Sequence, residues 1–255
     1  MIGLLRAEMI KTFRRKLVWI MAAIMGWLMA MVAAVFYLAP RYMPEEIPGL
    51  PTLMRPEAFA VGVQQAVSQT WLPIVLVVVL FGAETAGPVW RTALTLESRR
   101  WIHLVAKAVV GTLAGWIVIT SGIVVWSGLT LFLAEGSGAP APAEWAALLG
   151  KVVLTTLAWT GIGLAAAGWL RSLGGALGAG IGFSLFEGVF VFWDGWQDIS
   201  IGLASQRLFG RFLEVSGMGV GVTGDMSLDR AYLIVLGWAV AGLGAAMASV
   251  YLREP

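Results

Sequence analysis

The sequence predicts an all-α integral membrane protein with six transmembrane helices. Hydrophobic residues make up 59% of the 255 and charged residues 13%, well away from the ~45–50% apolar and ~25% charged of soluble domains. Mean hydropathy is +0.84. Apolar runs that reach the ~20 residues needed to cross a bilayer recur six times. Between the second and third of them stands a polar block, Gly82 to Lys107, carrying Arg91, Arg99, Arg100 and Lys107. Each run is far longer than the ~10 alternating residues of a barrel strand, so the spans are helices.

Residues 1–16, MIGLLRAEMIKTFRRK, place Ile2, Leu4, Leu5, Met9, Ile10 and Phe13 at roughly helical spacing with basic residues between them. This predicts an interfacial amphipathic helix on the inner membrane surface; the alternative is a basic flank that only sets topology. The first span, 17–39, holds no charge and exceeds the ~7–15 apolar residues of a signal peptide, so it reads as a retained helix. A loop with five prolines follows, from Pro40 to Pro56. The second span, 61–82, starts with Gln64, Gln65, Ser68 and Gln69, and Pro73 predicts a kink because it removes a backbone donor.

The charged stretch 83–103 must leave the bilayer, and the third span follows at 104–133, long enough to require tilt or an extension beyond the lipid. The fourth span is 146–170. Only Arg171 and Ser172 separate it from the fifth, 173–193, which predicts a tight antiparallel hairpin. Gly174, Gly178 and Gly182 give the fifth span a repeated GxxxG spacing suited to close helix packing. Residues 194–230 hold apolar positions for one or two short helices, too short to span and expected to dip into the outer leaflet as a re-entrant segment. The last span is 231–252.

The basic residues orient the chain. Placing both termini in the cytoplasm leaves only Arg41, Arg55, Lys151, Arg207, Arg211 and Arg230 of the 17 outside, and of the 15 acids only Glu8, Glu84, Glu97 and Glu254 inside, as the positive-inside rule expects. Trp71, Trp145, Trp193 and Trp196 fall near outer ends and Trp101 and Trp169 near inner ones, an aromatic belt that needs no cofactor.

The chain has no cysteine, which excludes disulfides and thiolate chemistry. The single His103 reads as a surface or interfacial residue, since a metal ligand would need partners. A formal charge of +2 gives no footprint for nucleic acid. No HExxH or GxSxG motif occurs, so an intramembrane enzyme has no constellation to build on. Glu187 is the one acid well inside a span, and an intramembrane carboxylate serves either a pathway or a polar contact between helices.

Three features together resemble the permease subunits of type 2 (exporter-like) ABC transporters, a family with six helices per subunit. One is a Glu followed by basic residues ahead of the first span, here Glu8, Lys11, Arg14, Arg15 and Lys16. A second is the internal loop with Glu84, Arg91, Leu94, Ser98, Arg99 and Lys107 at the family's spacing. The third is the outer segment before the last span. The loop departs from the family at Pro88 and Val89, where Gly-Thr is common, and at Glu97, where Pro is.

The resemblance implies a coupling helix in loop 83–103 that docks on a separate ATP-binding subunit, with Arg91, Leu94, Glu97, Ser98, Arg99 and Arg100 as docking residues. It implies that Glu84, Glu8, Arg14, Arg15 and Lys107 tie the loop to the interfacial helix. This chain lacks the GxxxxGK[ST] phosphate loop, so ATP and Mg are expected on the partner and no cofactor on this chain. Expected partners are two copies of the ATP-binding subunit, a second permease subunit (a copy or a paralogue) and membrane lipid, in a prokaryotic cell membrane. The expected cargo is amphipathic or hydrophobic, such as a peptide antibiotic, drug or lipid. The main alternative is a secondary transporter or channel that works without ATP.

Overall fold

The computed structural model describes residues 1–42, 57–69, 71–85, 99–133, 141–170, 172–190, 193–209 and 226–252. They form ten helices: α1 (Ile2–Arg14), α2 (Lys16–Tyr42), α3 (Glu57–Ser68), α4 (Trp71–Thr85), α5 (Arg100–Leu133), α6 (Pro142–Trp169), α7 (Leu173–Phe190), α8 (Asp194–Gln197), α9 (Ile201–Leu208) and α10 (Leu228–Leu252). Six stretches among the described residues are long and apolar enough to span a membrane: Lys16–Leu38, Gly62–Gly82, Arg100–Leu133, Pro142–Trp169, Leu173–Phe190 and Leu228–Leu252. The chain is therefore a multi-pass, all-helical membrane protein in its described part.

At the centre stands α4. It is apolar around its whole circumference, and Leu72, Ile74, Leu76, Val77, Val78, Leu80 and Phe81 are all within 1% of full burial, as a helix enclosed by others requires. Helices α5, α6 and α7 surround it. On one flank α2 packs against α5 through Val18, Met21, Met25, Met29 and Ala33, a stripe at three- and four-residue spacing. Its opposite face leaves Trp19, Ile20, Trp27, Met31 and Val35 exposed, a surface made for lipid tails.

On the other flank α10 crosses α6 almost backbone to backbone. A Cβ placed at Gly242 would lie 2.7 Å from the carbonyl carbon of Gly161 and 2.8 Å from the nitrogen of Ile162. Ala239, Ala246 and Ser249 continue that buried face of α10. Without a hydrophobic driving force between helices in lipid, such close van der Waals contact supplies the association. The GxxxG stripe expected to do this, Gly174, Gly178 and Gly182 on α7, meets none of the described residues, whereas Gly180 on another face of α7 meets Ile74.

Several boundaries differ from the sequence expectation. The second span consists of two helices rather than one kinked helix, α3 ending at Ser68 and α4 starting at Trp71. Pro73 occupies the first turn of α4, where a missing N–H costs no intrahelical bond, and packs 3.3 Å from the Cβ position of Gly115. Helix α5 starts at Arg100, four residues before the expected 104, and its 34 residues extend to ~50 Å at ~1.5 Å each. Consequently His103, expected at the surface, is buried at 4% exposure in the first turns of α5. Helices α6 and α10 likewise begin at Pro142 and Leu228 rather than 146 and 231, and α7 ends at Phe190 rather than 193.

Between α7 and α10 the expected short helices are α8 and α9. Ile201, Leu203, Ala204 and Leu208 of α9 are buried against α10, α3 and α7, which satisfies an amphipathic helix too short to stand alone.

Candidate functional site

Helix α1 turns a charged face toward the bundle. Glu8 and Thr12, one turn apart, are its buried residues, while Ile2, Met9 and Ile10 are exposed. The hydrophobic residues expected to cover a membrane surface are thus divided, and the carboxylate of Glu8 points at α5. A single extended residue, Arg15, joins α1 to α2, so its guanidinium stays beside α1.

Five charges converge there. Lys107 Nζ on α5 lies 2.5 Å from Glu84 Oε2 and 3.2 Å from Glu8 Oε1. Lys11 Nζ lies 2.5 Å from Glu84 Oε1 and 3.8 Å from Glu8 Oε2. Arg15 completes the group with Nη2 at 3.5 Å from Glu84 Oε1 and Nη1 at 3.5 Å from the Leu80 carbonyl. The Lys107 side chain is only 4% exposed, a burial that is tolerable because two carboxylates and the Phe81 ring, 4.6 Å from Nζ, replace its water. Burial alone would raise the Glu84 carboxyl, but the charges and hydrogen bonds of Lys107 and Lys11 outweigh it and hold the group below its ordinary value of 4.5.

The arrangement brackets one segment of chain. Glu84 stands at the end of α4, Lys107 stands two turns into α5, and both are fixed to the same α1. The ends of the stretch between them are therefore locked to one rigid element. Of the residues named from the sequence, Glu8, Glu84, Arg15 and Lys107 meet in this cluster. Arg14 is exposed and makes none of its ion pairs. Lys11, quoted only as part of the basic run, turns out to be a central member; its place three residues after Glu8 was the available signal.

The expected docking residues fare differently. Arg91, Leu94, Glu97 and Ser98 lie outside the described residues, and with them the expected coupling helix. Arg99 is exposed. Arg100 donates from Nη1 to the Val250 carbonyl at 2.8 Å, which joins the start of α5 to the end of α10. The N-terminal helix and the C-terminal end of α10 thus lie against the same end of α5.

Glu187 sits at the opposite end of the bundle, 5% exposed. Its Oε2 accepts from the Ser200 hydroxyl at 2.6 Å and from the Gly202 N–H at 2.9 Å, and Ser200 Oγ in turn accepts from the Leu203 N–H. Two free amides of the α9 N-terminus are thereby paired, with the negative group at the positive end of the helix dipole. The other end of α9 receives a cation, since Lys151 Nζ donates to the Leu208 carbonyl at 2.7 Å. The site is close-fitting, since a Cβ at Gly202 would lie 3.0 Å from Glu187 Oε2 and push the carboxylate aside. A polar contact between helices is thus one role that Glu187 has. Comparison of the chain with known protein families and with curated proteins finds no match to either.

Proposed function

We propose that the chain is the membrane-spanning permease subunit of an ATP-driven ABC transporter that exports an amphipathic or hydrophobic substrate. The observation that carries this reading is the cluster of Glu8, Lys11, Arg15, Glu84 and Lys107. A push on loop 86–98 would travel through Glu84 and Lys107 into α4, α5 and α1 together, because buried ion pairs resist separation. In this reading the loop docks on an ATP-binding subunit through Arg91, Leu94, Glu97, Ser98, Arg99 and Arg100, both termini are cytoplasmic, and the membrane is the prokaryotic cell membrane. Two ATP-binding subunits carry ATP and Mg, and their closure drives rigid-body switching of a permease pair. The open glycine stripe of α7, Gly174, Gly178 and Gly182, supports a second permease subunit as its neighbour.

A transporter or channel independent of ATP is the second reading. The buried Glu187 beside a span made of two helices favours it, since such proteins place ionisable groups and broken helices at their sites. Mild-detergent purification of the tagged chain from its native membrane separates the two. The proposal expects a stoichiometric ATP-binding subunit and ATPase activity that Arg91→Glu with Arg99→Glu uncouples from transport. A lone, ATPase-free oligomer overturns it in favour of the second reading.

A further inference from the structure

Behind the α9 N-terminus lies a cavity of about 290 Å³ between α3, α6, α7 and α9, with Ser68, Trp159, Ser184, Glu187, Ser205 and Gln206 in its wall. Three of these side chains are nine-tenths or more buried and carry an atom with no hydrogen-bond partner among the described residues: Glu187 Oε1, Ser205 Oγ and Trp159 Nε1. Leaving a buried polar atom unpaired is costly, and for a carboxylate oxygen more so. The wall contains one acid and no base. The α9 N-terminus, with the Ile201 amide, and the Trp196 indole lie close to the carboxylate, yet Oε1 completes no hydrogen bond among the described residues.

We infer that this cavity binds a protonated primary amine that carries an oxygen a few bonds from its nitrogen. The ammonium group donates to Glu187 Oε1 and to the Ser205 hydroxyl, a charge-assisted arrangement. The ligand's oxygen accepts from the indole N–H of Trp159. At the ~30 Å³ that a water occupies in the liquid, the volume admits on the order of ten non-hydrogen atoms, more than a bare cation needs. The floor is buried while Ser68 and Gly188 at the rim are exposed, so the ligand can arrive from outside the bundle. A free amino alcohol and the ethanolamine headgroup of a lipid share this chemistry. Binding requires no partner subunit, so its failure and that of the ATP-driven reading are separable.

The test is calorimetric titration of the purified full chain in detergent with 2-amino-1-phenylethanol and with 1-phenyl-1,2-ethanediol, in which a hydroxyl replaces the ammonium. The amine should bind about tenfold more tightly or better, as charged hydrogen bonds dictate, and Glu187→Gln should erase that preference. Ser205→Ala, a change of one oxygen atom, and Trp159→Phe should each weaken the amine several-fold and the diol less. Displacement of the amine by short-chain phosphatidylethanolamine, and not by phosphatidylcholine, would identify the lipid headgroup as the source; no displacement would identify a free amine. Equal binding of amine and diol, no binding by any amine or lipid, or an unchanged preference in a well-folded Glu187→Gln protein would overturn the inference.

Discussion

Replacing Lys107 with Met removes one ammonium from between two carboxylates while keeping an unbranched chain against Phe81. The Lys107 side chain is 4% exposed and those of Glu8 and Glu84 10%, so neither water nor a new side chain can fully take its place. Breaking a buried pair by removing one partner costs about 3–5 kcal/mol. Glu84 keeps Lys11 at 2.5 Å and Arg15 at 3.5 Å, but their side chains are 38% and 43% exposed, which places the expected loss near the lower end, about 3 kcal/mol. At roughly 2–4 °C per kcal/mol for a chain of this size, the melting temperature should fall by about 6–12 °C. The assay is thermal unfolding of the detergent-solubilised protein followed by size exclusion. Adding Glu8→Gln to Lys107→Met neutralises the carboxylate left with only Lys11 at 3.8 Å and should restore part of the loss, a coupling that a double-mutant cycle reads directly. A Lys107→Met protein that melts within about 2 °C of wild type, or a double variant no better than the single one, would refute the view that the cluster is a buried, mutually compensating network.

Because the folded Glu84 carboxyl lies below its ordinary value of 4.5, its contribution to stability is complete above the unfolded value and is lost as pH falls through the folded one; the thermal advantage of wild type over Glu84→Gln should hold from neutral pH to about 5.5 and shrink in acid below about 4.5, and an advantage that grows in acid would contradict it. Gly242→Val drives a side chain into the Gly161 and Ile162 backbone, which cannot yield as a side chain can, and should cost about 1–3 kcal/mol or more; Gly178→Ala meets none of the described residues and in the isolated monomer should be neutral or gain a few tenths of a kcal/mol from helix propensity, both read as melting temperatures.

Much of the candidate site was legible at the level of which residues take part, and little at the level of how. Glu8, Arg15, Glu84 and Lys107 stand out in sequence through the family resemblance, which implies a tie between the loop and the interfacial helix. Lys11 does not, since a lysine in a basic segment looks like a topology signal until α1 is seen lying with its charged face on α5. Glu187 is conspicuous as the one acid well inside a span, but Ser200, Gly202 and Ser205 are ordinary loop residues in the sequence; their meaning comes from α9 bringing its N-terminus to α7. The glycines show the limit most clearly. Spacing singles out Gly174, Gly178 and Gly182, yet the close crossing falls on Gly161 and Gly242, because a helix packs with whichever face its neighbours reach and periodicity does not name the neighbour.

By itself the sequence determined that the chain is a helical membrane protein with six apolar stretches, since the bilayer imposes a length and a composition on every segment that crosses it and both are one-dimensional properties. Where α4 sits in the bundle, how the second span divides at Ser68 and Trp71, which face of α1 turns inward, and the meeting of Glu8, Glu84 and Lys107 were decided by tertiary structure alone. Those are consequences of which surfaces fit against each other in three dimensions, and lipid, equally apolar on all sides, gives the sequence no means of marking them in advance.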